Sequence, residues 1–317
     1  MAQRPAVTVL GSLNTDISLP VPHLRGPGET VLASAGATFG AGGKGANQAV
    51  AAARLGAAVS MVGCCGDDEF GARLRAGLVA EGIRVAGLRE IPGVASGLAL
   101  ITVDPAGENS IAVAAGANGL AGDNEVAAAF VLPCDALVLS AEVPARVLGA
   151  ALRSARAEGV RTVLNLAPVP EGADGLLAER PDWLVVNAQE AAALAGRPQD
   201  ATPAGEVAMG RDAAAGLAAG LGGGHVVVTL GAAGAALAGP SGTDAVPGFP
   251  VTAVDTVGAG DAFVGALAVA LASGLDPAAA VTAACAAGAA AATRRGAQAA
   301  LPRPADVLAA TGFAWPA

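Results

Sequence analysis

Four short apolar runs, separated by helix-like stretches, most narrow what this chain can become. The runs are Ala136–Ser140 (ALVLS), Thr162–Leu166 (TVLNL), Trp183–Asn187 (WLVVN) and Val226–Leu230 (VVVTL). Helical runs fall at 144–158, 188–195 and 205–221. A strand that is apolar at consecutive positions must be buried on both faces, and short strands joined through helices pair in parallel. The pattern predicts an α/β fold with a three-layer α/β/α arrangement and a mostly parallel sheet. At 317 residues the expected organisation is a single domain, 1–317, with a small appendage.

In such sheets ligands bind beyond the carboxyl ends of the strands, and polar residues stand at those places here. Val7–Gly11 reads as another buried strand, leading into Ser12-Leu13-Asn14-Thr15-Asp16. Asn14 and Asp16 share one side of an extended chain. They read either as a two-point grip on sugar hydroxyls or as an Asx turn leaving the strand. Glu142 follows ALVLSA, and Asn165 ends TVLN. In the string NAQE, Asn187 and Glu190 fit a capping box. The alternative is that both face phosphates, with Glu190 holding a hydrated magnesium ion. Thr229-Leu230-Gly231-Ala232-Ala233-Gly234 reads as a strand-end turn with N–H groups free for a nucleotide.

Two glycine clusters precede helices. Gly40–Asn47 (GAGGKGAN) opens the helical run NQAVAAARLG. It matches GxGxxG, yet no first Rossmann strand precedes it, and it is no P-loop because Gly45 follows Lys44 and Thr38 stands at the first glycine position. The loop reads as a ligand cradle, with Lys44 and Asn47 as donors, or as a tight turn. The second cluster lies in Val254–Phe263 (VDTVGAGDAF), before the apolar helix AFVGALAVALASG that ends near Gly274. Gly258–Asp261 should form its first turn, where unpaired N–H groups receive an anion. Asp261 is then either an acid complementing the helix dipole, or a general base that the dipole keeps ionised beside a phosphate. A further apolar helix is expected over Pro277–Arg294, closing at TRRGA.

Segments 17–40 and 96–115 are short, punctuated and partly alternating, the second around the turn Asp104-Pro105-Ala106-Gly107. They predict a small antiparallel lid outside the main sheet. VSMVG (59–63) and Asp67–Glu81 read as a strand and an amphipathic helix. A net charge of −9 without a Lys/Arg run excludes a nucleic-acid surface. No apolar run is long enough to span a membrane, and the first residues lack a signal-peptide pattern. Cys64, Cys65, Cys134 and Cys285 have no CxxC spacing, and only His23 and His225 exist, so a zinc site is not expected. Reduced buried thiols of a cytoplasmic protein are expected instead. Scarce histidine leaves acid–base work to carboxylates.

The chain resembles the ribokinase-like (PfkB-type) carbohydrate kinases over nearly its whole length. The resemblance rests on residues 40–68 (GAGGKGANQAVAAARLGAAVSMVGCCGDD) and 255–263 (DTVGAGDAF). It is supported by GSLNTD (11–16), PGET (27–30), NAQE (187–190), TLGAAG (229–234) and TRRGAQ (293–298). Within the family the chain looks most like the ribose kinases. The resemblance implies transfer of the ATP γ-phosphoryl group to a sugar hydroxyl, the 5-hydroxyl of ribose. It makes Asp261 the base and the N–H groups of Val257, Gly258, Ala259 and Gly260 the anion hole. It gives Asn14, Asp16, Gly43, Lys44, Asn47, Glu142 and Asp261 to the sugar. It gives Asn187, Thr229, Leu230, Gly231, Ala232, Ala233, Gly234, Gly260 and Cys285 to the nucleotide, and Glu190 to magnesium. A potassium-like ion would sit at Asp255, Val257, Ala291, Arg294, Gly296 and Ala300. Ala300 stands where relatives often carry serine, and Cys285 where a histidine often flanks the adenine. The family's lid often pairs with a partner's lid, which implies a homodimer.

Rival readings differ in what they leave unexplained. A kinase for deoxyribose, fructose or adenosine shares the motifs. A nucleoside, however, needs an apolar or aromatic slot for its base, and the chain has no Tyr and six Phe. A dinucleotide-dependent oxidoreductase rests on GxGxxG alone and does not account for GAGD. A sugar-binding regulator without catalysis has no use for Asp261 and Glu190 together.

Overall fold

A computed structural model describes residues 4–196 and 203–316. The strands are β1 (Ala6–Leu10), β2 (Asn14–Pro20), β3 (Thr38–Gly42), β4 (Ala58–Gly66), β5 (Arg84–Ile91), β6 (Gly97–Val103) and β7 (Asn109–Ala114). They continue with β8 (Ala136–Ser140), β9 (Arg161–Asn165), β10 (Trp183–Asn187), β11 (His225–Thr229), β12 (Gly234–Gly239) and β13 (Gly242–Pro247). The helices are α1 (Lys44–Arg54), α2 (Glu69–Ala80), α3 (Asp123–Ala128), α4 (Ala145–Glu158), α5 (Ala173–Ala178) and α6 (Ala188–Leu194). They end with α7 (Pro203–Leu221), α8 (Ala259–Ala272), α9 (Pro277–Ala292), α10 (Ala297–Ala300) and α11 (Pro304–Thr311).

The large sheet has nine strands in the order β13-β12-β11-β10-β9-β8-β1-β4-β5. It is parallel from β11 to β5, and β12 and β13 close one edge as antiparallel strands. Alternate residues of its strands enter two separate cores. Trp183 and Val185 of β10 face a core built with α1, α2, α8 and α9, while Leu184 and Val186 face one built with α4 and α7. This two-sided burial is why β8 to β11 read as continuous apolar runs. The expected α/β/α layering is observed, with strand and helix ends displaced by a few residues. One shift matters for the site: α8 begins at Ala259, with Gly258 as its N-cap.

The second sheet has four strands, β3-β2-β6-β7. It is not wholly antiparallel, as expected from its punctuated sequence, because β2 and β6 run parallel. Its first strand also starts earlier, at Asn14, directly after β1 and Ser12-Leu13. The register places Asp16, Gly40, Ala99 and Val113 on one face and Ile17, Phe39, Leu100 and Ala112 on the other. Three strands had no counterpart in the sequence pattern: β5, β12 and β13.

β1 lies between β8 and β4, so the chain leaves the sheet in opposite directions on its two sides. The carboxyl ends of β1 and β8 form the crevice that such a reversal opens.

Candidate active site

Helix α1 starts in that crevice. Gly43 is its N-cap at φ 85°, and a Cβ there would lie 2.7 Å from Asn14 N and 2.9 Å from Leu13 Cα. Only glycine allows this chain direction and this approach. The first N–H of the helix, from Lys44, donates to Glu142 Oε2 at 3.0 Å, and Ser12 Oγ donates to the same oxygen at 2.5 Å. Glu142 therefore fastens α1 to the ends of β1 and β8.

The sugar-side candidates gather around this point. Asn14 is 3% exposed, and its Oδ1 accepts from Asn118 Nδ2 at 2.8 Å. Asn118 in turn holds both the N–H and the carbonyl of Leu13. The Asx-turn reading of Asn14 and Asp16 is replaced by strand β2, with both residues on one face as the spacing predicts. The Asp16 carboxylate lies against Gly42, where a Cβ would meet Oδ2 at 2.1 Å. Burial, together with the Glu142 and Asp261 carboxylates, raises its pKa to about 6.

Asp261 sits in the first turn of α8 and is 8% exposed. Asn47 Nδ2 donates to its Oδ2 at 2.8 Å, and Gln48 Nε2 donates to its Oδ1 at 3.0 Å. Burial raises its pKa, against the opposing pull of Lys44 and the two amides. Desolvation outweighs these pulls, so the acid sits above the usual carboxylate range. Lys44 is pulled down by burial, but the carboxylates of Asp261, Glu142 and Glu190 outweigh this and its pKa is raised.

The N–H groups of the α8 turn are not all open. That of Val257 donates to Asp255 Oδ1 at 3.0 Å, and that of Ala259 to the Thr256 carbonyl at 3.2 Å. Those of Gly258 and Gly260 have no acceptor among the described residues. Of the four donors expected at Val257–Gly260, those of Gly258 and Gly260 are the ones left without an acceptor among the described residues.

A cavity of about 210 Å³ adjoins this turn. Lys44, Asn187, Glu190, Thr229, Gly258, Gly260 and Asp261 line it, together with Asn165 and Thr256. Asn187 and Glu190 form the capping box: Glu190 N donates to Asn187 Oδ1 at 2.8 Å, and Asn187 N to Glu190 Oε2 at 2.7 Å. The box does not exclude a ligand role, since Glu190 Oε1 has no partner among the described residues. Burial raises the Glu190 pKa, partly countered by the Asn187 N–H and by Lys44.

The PfkB carbohydrate kinase family model matches residues 4–304. The chain belongs to the pfkB family of carbohydrate kinases. A ribokinase of Haemophilus influenzae is 36% identical over 311 residues, covering 96% of this chain and 98% of that one. The crystal structure of a Thermotoga maritima ribokinase matches with a TM-score of 0.81 at 33% identity, over 96% of this chain and 98% of that chain. The structure of an Arabidopsis thaliana ribokinase complexed with ribose and ATP matches with a TM-score of 0.81 at 28% identity, over 97% and 98% of the two chains.

In this pfkB kinase the remaining candidates fall in three places. Thr229 lines the cavity and Gly231 begins the turn after β11, but the Leu230 side chain is 4% exposed in a core and Gly234 is the first residue of β12. The open N–H groups of that turn are those of Gly231 and Ala232, because Ala233 N bonds back to Leu230. Cys285 lies in the core beside α8, 7% exposed, with its thiol pushed up to about 12 by burial. The third group forms a loop pair. Asp255 accepts from Val257 N and from Gly296 N, and Ala291 O accepts from Arg294 N. The Arg294 guanidinium is turned away to Asp306, and Ala300 is fully buried. Only the backbone of Arg294 is left to face a cation.

Gln48, Ser12, Asn118 and Thr256 were not singled out from sequence. A larger cavity of about 700 Å³ opens at the amino ends of β9, β10 and β11, the opposite end of these strands from the site. Two of its arginines cap helix ends there, Arg161 on the Leu271 carbonyl and Arg156 on the Glu179 carbonyl, so this concavity is away from the chemistry. No group of three or more His, Cys, Asp or Glu is placed to hold a metal ion among the described residues.

Proposed function

We propose that this chain transfers the γ-phosphoryl group of ATP to the 5-hydroxyl of D-ribose, giving ribose 5-phosphate and ADP. One observation carries the reading: Asp261 stands where the sugar-side residues and the phosphate-side cavity meet, beside two open glycine N–H groups. Asn14, Asp16, Lys44, Asn47 and Glu142 hold the sugar, with Gly43 setting the loop. Asp261 accepts the hydroxyl proton as the oxygen attacks phosphorus. Its raised pKa brings it nearer to working pH, where a base is most effective. The N–H groups of Gly258 and Gly260 receive charge on the transferred group, and one such donor is worth about 10²–10³ in rate. Positioning, more than base strength, governs such transfers.

Asn187, Thr229, Gly231 and Ala232 hold the nucleotide. Glu190 would hold magnesium through water, by the carboxylate oxygen its capping bond leaves free. The ion supplies charge neutralisation on the phosphates. Asp255, Val257, Ala291, Arg294, Gly296 and Ala300 would hold a potassium ion, mainly by backbone oxygens. It would supply a fixed positive charge beside the anion hole.

The four-stranded sheet closes over the sugar with its Asp16 face and excludes water. Its other face carries Phe39, 61% exposed, and Leu100, 49% exposed, and pairs with a second copy. No helix among the described residues is long and apolar enough to cross a membrane, and we place the kinase in the cytoplasm. The test is ADP release from ATP with ribose, deoxyribose, fructose and adenosine, each with and without potassium. Ribose should give the highest kcat/KM and respond to potassium. Equal or better turnover of adenosine or deoxyribose would overturn the assignment.

A further inference from the structure

Asp261 has two side-chain donors among the described residues, and they are neighbours on α1. Asn47 serves Oδ2 and Gln48 serves Oδ1, at 2.8 and 3.0 Å. Gln48 is fully buried. Its Nε2 also donates to Asn165 Oδ1 at 2.9 Å, and Asn165 Nδ2 donates to the Val185 carbonyl at 3.2 Å. An amide relay thus runs from the carboxylate to the end of β9 and the middle of β10. Helix α8, which carries Asp261, gives its side chain no hydrogen bond.

The relay leaves a mark. Gln48 Oε1 and Asn47 Oδ1 are buried with no hydrogen-bond partner. A buried acceptor left bare is destabilising, and native proteins rarely keep one without a reason. Turning the Gln48 amide over does not help, because Oε1 would then face two acceptors, Asp261 Oδ1 and Asn165 Oδ1. Both amides are therefore committed to presenting NH₂ to Asp261. The helices are built to allow it. A Cβ at Gly265 of α8 would lie 2.7 Å from the Gln48 carbonyl and 2.7 Å from Ala51 Cβ, so only glycine lets α1 come this close.

We propose that Gln48 is a positioning residue for catalysis, fixing the direction of the Asp261 carboxylate through Asn165 and the sheet. The inference rests on Asp261 being the base, as read above. An amide orients a carboxylate without adding a charge, whereas an Arg or Lys in its place would also weaken the base. With one amide on each oxygen, each keeps a second lone pair for the incoming hydroxyl. The charged groups facing Asp261 are Lys44 from α1, Glu142 after β8 and Asp16 from β2. They set its charge balance but make no hydrogen bond to it that fixes its plane.

The test is steady-state kinetics with ribose and ATP, and thermal melting, on Gln48→Met, Asn165→Leu, the double variant and Asp261→Asn. Gln48→Met should lower kcat by about 10- to 100-fold, as expected for a misplaced catalytic group. Both KM values should move less than threefold. The Tm should fall, because Asp261 Oδ1 and Asn165 Oδ1 lose their donor, so kcat is measured well below the variant's Tm. Asn165→Leu should cost less, and the double variant should match Gln48→Met. Unchanged kcat in Gln48→Met, or a rise in the ribose KM as large as the loss in kcat, would overturn the positioning role. Asp261→Asn separates the two readings. If it stays active, the base assignment itself fails. If it is inactive while Gln48→Met keeps full kcat, only the positioning role fails.

Discussion

Replacing Asp16 by asparagine should stabilise this kinase while impairing its sugar binding. The Asp16 pKa rises from 3.8 in the unfolded chain to about 6, chiefly by burial and then by Glu142 and Asp261. A folded pKa above the unfolded one means that the folded state prefers the protonated acid. The ionised carboxylate therefore costs stability above pH 6, and the cost is relieved as pH falls from 6 towards 4. About two pKa units correspond to about 3 kcal/mol at pH 7.5, to about half of that at pH 5, and to little at pH 4. Asp16→Asn keeps the shape against Gly42 and removes this cost. For a chain of this length, about 3 kcal/mol is about 4–5 °C in Tm. Melting curves of wild type and variant from pH 4 to 7.5 should converge at the acid end. The variant's KM for ribose should rise at least tenfold at pH 7.5. A lower Tm for the variant at pH 7.5, or a gain independent of pH, would refute the reasoning.

Two further perturbations separate the site from its scaffold. Glu190→Gln should raise the magnesium concentration needed for half-maximal rate by about tenfold, checked by magnesium titration at fixed ATP, while keeping part of the capping box. Arg54 bonds Glu81 and the carbonyls of Gln298 and Leu301, so Arg54→Ala should cost about 1–3 kcal/mol in urea unfolding, because the Leu301 carbonyl loses its donor while Glu81 keeps only Arg303 and the Gln298 carbonyl only the Leu301 N–H.

Legibility followed burial. β8 to β11 were readable because both faces are covered and the runs are apolar throughout. β5, RVAGLREI, lies at the sheet edge and holds a glycine and the adjacent charges Arg89 and Glu90, so no strand period stood out. β12, GAALAG, is made of residues poor in strand propensity and exists only because β11 and β13 flank it. In the site, Asp261, Lys44, Asn187 and Glu190 were marked by glycine clusters and strand ends. Gln48 carried no such mark. A glutamine inside a helix is commonplace, and its meaning depends on the close approach of α1 to α8 at Gly265. Ser12 and Asn118 likewise act only on what the fold brings beside them. The bonds of Val257 to Asp255 and of Ala259 to Thr256 were not legible either, because they depend on how the loop folds back on itself.

The most direct test of phosphoryl transfer from this crevice is Asp261→Asn, assayed for ribose-dependent ADP formation and, by calorimetry, for ribose binding. The base assignment predicts a kcat lower by about 10²–10⁴-fold with ribose affinity within a few fold of wild type. Near-wild-type turnover in this variant would contradict it.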